Sequence, residues 1–140
     1  MSISQQEASQ IAAQLAQNAQ MWDIACSFVQ GAIDRLSGAG LDSVTISLYN
    51  DRIEHDMDHM LFNPSLETGE WGKAVDRGYT DDIYAVLAFE GLEELSDEDI
   101  AEVMLSLLTE QVAPAFEGVS SEFEDGSIPY CKAKYLRLRW

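Results

Sequence analysis

Apolar residues recur every three or four positions through the first quarter of the chain: Ile11, Leu15, Ala19, Trp22, Cys26, Val29, Ile33 and Leu36. That period draws one stripe along a helix. Ser4, followed three residues later by Glu7, is a capping box and predicts a helix start at Gln5. Gly38 and Gly40 are the expected stop. A single helix over 5–37 would be about 50 Å long at 1.5 Å per residue. A compact chain of this length has a radius of gyration of about 14 Å, so the helix is expected to break in two near Asn18. The first half is rich in Gln and Ala and carries a thin stripe. It is expected to pack on the body or to meet a second copy in a homodimer.

Val44, Ile46 and Leu48 alternate with Thr45, Ser47 and Tyr49, which predicts a half-buried strand followed by a turn at Asn50-Asp51. The next segment, Arg52 to Phe62, supports two readings. As a strand it places Ile53, His55, Met57, His59 and Leu61 on one side; as a helix it gathers Ile53, Met57, Met60 and Leu61. The preceding turn favours the strand of a hairpin, although Asp is a poor strand former. Asn63 to Tyr79 reads as loop, with a short helix conceivable around Trp71–Arg77. Thr80 before Asp81 and Asp82 reads as an N-cap with acids in the first turn. The run after it is helical with a weak point at Gly91, or alternatively a central strand over Ile83–Phe89.

Ser96 with Asp99 marks another helix start. Behind it Ile100, Val103, Met104, Leu107, Leu108 and Val112 build a strongly amphipathic helix that Pro114 ends or kinks. Residues 117–127 read as a polar, acidic loop. The tail from Ile128 to Trp140 alternates as a strand, and a bulge near Tyr135 would bring Lys132, Lys134, Arg137 and Arg139 to one face. The expected fold is therefore α+β. It has N-terminal helices, a small antiparallel sheet that includes a C-terminal strand, and at least one further amphipathic helix. A single domain over 1–140 suits the length.

Composition adds a core and removes several classes. Of 140 residues, 46% are hydrophobic, which is too apolar for a disordered chain. No apolar run is long enough to cross a bilayer, and MSISQQEASQ lacks the basic start and apolar block of a signal peptide. Cys26 and Cys131 match no metal or redox spacing and read as free thiols of a reducing compartment, the cytoplasm. No nucleophile elbow, P-loop or dinucleotide fingerprint occurs.

Charge changes the picture most. The formal net charge is −17, of which −7 falls in residues 1–77 and −14 in 78–131, while the tail from Lys132 carries +4. Between Gly78 and Cys131 there are fourteen acids and no Lys or Arg. Nine of the acids are Asp81, Asp82, Glu90, Glu93, Glu94, Asp97, Glu98, Asp99 and Glu102. Two carboxylates about 6 Å apart repel by roughly 0.7 kcal/mol even in water. Such crowding argues against binding DNA, RNA or an anionic membrane and for a basic protein partner. Solubility, salt adaptation and helix capping are the competing explanations of the acids. Salt adaptation would scatter them rather than concentrate them.

Carboxylates fixed on a scaffold imitate phosphates, because helix positions three or four apart lie about 5–6 Å from each other. The nine acids are thus the expected partner-binding residues of a non-enzymatic inhibitor, a nucleic-acid mimic that occupies a nuclease or a nucleic-acid-guided effector complex. Such decoys resemble, in style, antirestriction and anti-CRISPR proteins and the acidic immunity proteins that cap nuclease toxins. No cofactor is expected. The tail bases would meet either an acidic surface or the chain's own acids.

Two other classes stay open. His55 and His59, with Asp56, resemble the HExxH zinc-protease motif with Asp in place of Glu. On a helix the two histidines share a face and need a carboxylate from elsewhere as third ligand; such a site would serve metal binding or metal-dependent hydrolysis. On a strand they stand about 13 Å apart and cannot share an ion. The third class is an assembly role through the Gln/Ala-rich helix.

Overall fold

A computed structural model of the chain describes residues 3–50, 63–64, 79–125, 129 and 133–140; of 49, 50, 63, 64, 79 and 80 it describes the backbone. The chain is α+β, as its periodicities predict. Helix α1 spans Gln5–Ala16 and α2 spans Ala19–Gly38. The capping box forms: Ser4 Oγ accepts from Glu7 N at 3.1 Å. The break falls where expected, because Asn18 caps α2 by accepting from Met21 N at 3.1 Å. The buried line of α2 is rotated from the predicted stripe. Met21, Ile24, Ala25, Phe28, Val29, Ala32 and Leu36 are buried, whereas Trp22, Cys26 and Ile33 are its half-buried flank. Ala25 and Ala32 are fully buried on this face together with the large side chains of Met21, Phe28 and Leu36.

Strand β1 spans Ser43–Asn50, β2 Asn63–Pro64, β3 Ser120–Asp125 and β4 Ala133–Arg139. They form an antiparallel sheet in the order β2-β1-β4-β3. Three expectations change here. First, β1 is central and buried on both faces, including Thr45 and Ser47, rather than half-buried. Second, Ser120–Asp125 is an edge strand and not a loop. Third, the bulge lies on β1: Ser47 faces Tyr135 but Tyr49 faces Lys134, so Leu48 is the extra residue. The tail keeps strict alternation. Lys134 therefore shares a face with Leu136 and Leu138, and Arg137 and Arg139 take the other; the bases do not gather on one side. Lys132 lies outside the described residues. Asn63 and Pro64, expected in a loop, pair with Ser47 and Ile46.

Helix α3 spans Tyr79–Phe89 and so starts one residue before the expected cap at Thr80. It is helical where a central strand was the alternative. It ends at Gly91, which adopts φ 75°. Leu92 N then reaches Leu87 O at 2.8 Å and Gly91 N reaches Ala88 O at 3.1 Å, the paired bonds of a Schellman stop. Helix α2 stops the same way, with Gly40 at φ 81° and Leu41 N bonded to Leu36 O at 2.8 Å.

Helix α4 spans Asp97–Ser106 and is capped by Ser96 Oγ, which accepts from Asp99 N at 3.1 Å. It widens into a π-helical segment over Leu107–Val112 and tightens into a 3-10 turn at Ala113–Ala115. Pro114 supplies the reason: it has no N–H, and its ring excludes the carbonyl of Glu110. The wider turn keeps Leu107, Leu108 and Val112 all buried. Every predicted apolar position of this segment lies in the core.

The buried apolar side chains form one cluster between the helices and the sheet face of Val44, Ile46, Leu136 and Leu138. The apolar side of α1, Ala8, Ala12 and Leu15, belongs to that cluster, so α1 is docked on the body. Trp140 fastens β4 to the end of α2, its N–H meeting Asp42 O at 3.0 Å and its indole Nε1 meeting Ser37 Oγ at 2.7 Å.

Candidate functional site

Helices α3 and α4 and the turn between them carry the acidic span, and its nine acids differ in their surroundings. Three are engaged inside the fold. Glu90 accepts from Asn18 Nδ2 at 2.7 Å, tying the end of α3 to the cap of α2. Asp99 is 4% exposed and accepts from Ile3 N at 3.2 Å, holding the start of the chain against α4. Glu102 forms an ion pair with Lys134 of β4.

Asp81, Asp82, Glu93, Glu94 and Asp97 are exposed. The first two sit in the opening turn of α3, where the helix dipole favours negative charge. Glu93 and Glu94 follow the Gly91 stop. Asp97 opens α4 and accepts from Tyr84 Oη at 3.3 Å, which links the two helices. Glu98 beside it is half-buried. The exposed acids thus form a group at each end of an 11-residue helix about 16 Å long, rather than an even row.

Between those groups lies something the sequence reading passed over. Ala85, Ala88 and Phe89 are exposed on α3, and Phe89 is 85% exposed. The signal was present in the period. Ile83, Val86 and Leu87 face inward, so Phe89 points away from them once the segment is taken as a helix.

A second acidic group lies on β3. Glu122 stands opposite Arg137, and Glu124 Oε1 is 3.0 Å from Arg137 Nε. Neither this pair nor Lys134–Glu102 touches the five exposed acids of α3 and α4.

Other chemistry is sparse. A half-open cavity of about 200 Å³ lies among Ile3, Ser4, Glu98, Asp99, Glu102 and Lys134. Its one ammonium is already paired, which leaves an acidic notch. The Cys26 thiol is pushed above its ordinary pKa by burial first and by the nearby Asp23 carboxylate second, so it is a poor nucleophile near neutrality. Among the described residues no group of three or more His, Cys, Asp or Glu is placed to hold a metal ion. His55, Asp56 and His59 lie outside the described residues, as do the alternatives for Arg52–Phe62 and the short helix at Trp71–Arg77. Among the described residues no helix is long and apolar enough to cross a membrane. No protein-family model, curated protein or solved structure matches the chain.

Proposed function

We propose that this protein is a non-enzymatic inhibitor that binds a basic, nucleic-acid-handling protein through the outer side of α3 and the start of α4. The observation that carries the reading is the set Asp81, Asp82, Glu93, Glu94 and Asp97: exposed, grouped at the two ends of α3 and the start of α4, and outside the Lys134 and Arg137 ion pairs. Holding like charges together on a rigid scaffold costs stability, and a cationic partner offsets that cost. Arg and Lys that normally grip phosphates would pair with these carboxylates and release counterions.

The binder is an acidic decoy of the antirestriction, anti-CRISPR or nuclease-immunity kind, with a nuclease or a nucleic-acid-guided effector as its target. Glu90, Asp99 and Glu102 support the scaffold in this reading rather than touch the partner. The partner meets carboxylates in two groups, so its basic residues are expected in two matching groups. A reducing, cytoplasmic setting suits the free Cys26.

The test is capture on the immobilised protein from a host lysate, with elution by rising NaCl and by duplex DNA. The expected outcome is a nucleic-acid-binding protein that elutes early in the gradient and loses its DNA binding when the inhibitor is added. The variant E93K/E94K/D97K is expected to bind it at least tenfold more weakly. Undiminished binding by that variant, or a captured protein that still holds DNA in the complex, refutes the reading.

A further inference from the structure

The acids alone do not account for the surface they frame. Phe89 is 85% exposed, against 48% for Leu41 and 47% for Phe123, the other exposed large apolar side chains among the described residues. Those two have work in the fold. Leu41 follows the Gly40 stop of α2, at the position that covers the last helical turn of a Schellman motif. Phe123 stands across from the buried Leu136. On α3 the covering position is already filled by Leu92, which packs against the core. Phe89 is left standing in water.

Its neighbours on the same side are small. Asp82, Ala85 and Phe89 fall at i, i+3 and i+7, one line along a helix, and Ala88 lies beside it; all four are exposed. The aromatic ring therefore rises from a low apolar floor, with Asp81 and Asp82 beyond one end and Glu93 and Glu94 beyond the other. An apolar knob inside a charged rim is the anatomy of an energetic centre in a protein interface.

The sign of the rim fixes the occupant. The last turn of α3 contains no basic residue, so the negative end of the helix dipole and the two glutamates after it add up to negative potential around Phe89. An acidic or neutral pocket would leave those charges desolvated and unpaired.

We infer that Phe89 seats in an apolar pocket of the partner whose rim carries Lys or Arg. The inference rests on the proposed function and sharpens it. The partner is then recognised by shape as well as charge, and a uniformly cationic surface is not enough. Binding has a salt-sensitive part from the acids and a salt-resistant part from the ring.

Two synthetic helical peptides of equal Lys content test this, one with a Leu face and one with an Ala face. Their affinities are read by fluorescence anisotropy at low and high NaCl. The wild-type protein is expected to prefer the Lys/Leu peptide at least tenfold, and to keep that preference at high salt. F89A is expected to bring the two peptides within about twofold of each other, with an unchanged melting temperature because the side chain is exposed. E93K/E94K is expected to weaken both peptides alike.

If F89A keeps the preference, or the wild type shows none while E93K/E94K still weakens both peptides, the Phe89 contact falls and the acidic-decoy reading stands. If E93K/E94K changes nothing, both fall together. Should the wild type sediment as a dimer that F89A converts to monomer, a second copy of this chain is the occupant and the inference is overturned.

Discussion

The acids of β3 and the acids of α3 have the same sign and different company. On β3, Glu122 and Glu124 lie beside Arg137, and the strand pairs along its length with β4. Asp81 and Asp82 sit in the first turn of α3 and Glu93 and Glu94 in the turn after its stop, outside the ion pairs of Lys134 and Arg137. With eight Lys and Arg against 25 acids, pairing goes where the backbone brings opposite charges together. Cross-strand register does this for β3, and the fold side of β4 does it for Glu102. Among the described residues, neither of these ion pairs involves an acid of α3. The contrast separates acids that serve the sheet from acids that serve the surface.

The sharpest way to break this contrast is to reverse a charge on each side of it. K134E sets two carboxylates together where a half-buried ion pair stood. It is expected to lower stability by about 3–5 kcal/mol in urea unfolding. E93K/E94K exchanges two exposed acids that hold nothing in the fold, and its stability is expected within about 0.5 kcal/mol of wild type. Equal losses in the two variants would erase the distinction.

A smaller loss tests the engaged acids. D99A removes the carboxylate that receives Ile3 N, leaves Ser96 capping α4, and is expected to cost about 1–2 kcal/mol. R137A tests the sheet. Its pair with Glu124 is partly solvated, so the expected loss is only about 0.5–1 kcal/mol. The mildest probe is salt. Raising NaCl screens the exposed acids and is expected to lift the melting temperature of the wild type by a few degrees, and that of E93K/E94K by less.

Much of the fold was legible wherever the signal was local. Ser4 with Glu7 and Ser96 with Asp99 announce helix starts with side chains that act three residues away, and the break near Asn18 followed from the length a single helix would need. The stripe from Ile100 to Val112 survives even the π-helical widening ahead of Pro114. The alternation of the tail, read as a strand over Ile128–Trp140, corresponds to a strand over Ala133–Arg139, with Pro129 in a turn.

What failed depended on partners far off in sequence. Ser120–Asp125 is made of Ser, Glu and Asp around one Phe, poor strand formers that become a strand because β4 offers a ladder. The bulge went to β1 because both strands of a pair can absorb an extra residue, and the tail alone cannot say which does. At the candidate site the cluster of acids was plain, but its division was not. Asn18 meets Glu90, Ile3 meets Asp99 and Lys134 meets Glu102 only after the helices and sheet have come together.

The pairing of β1 with β4 sets a delay. Ile46 finds Leu136 about 90 residues later in the chain. At a ribosomal pace of about 5–20 residues per second, the apolar strand waits for roughly 5–18 seconds before its neighbour exists. Throughout that interval a hydrophobic edge is open to strangers. The acids emerging between the two strands add like charge to the nascent chain while the sheet is incomplete, and like charge opposes association of one unfinished chain with another.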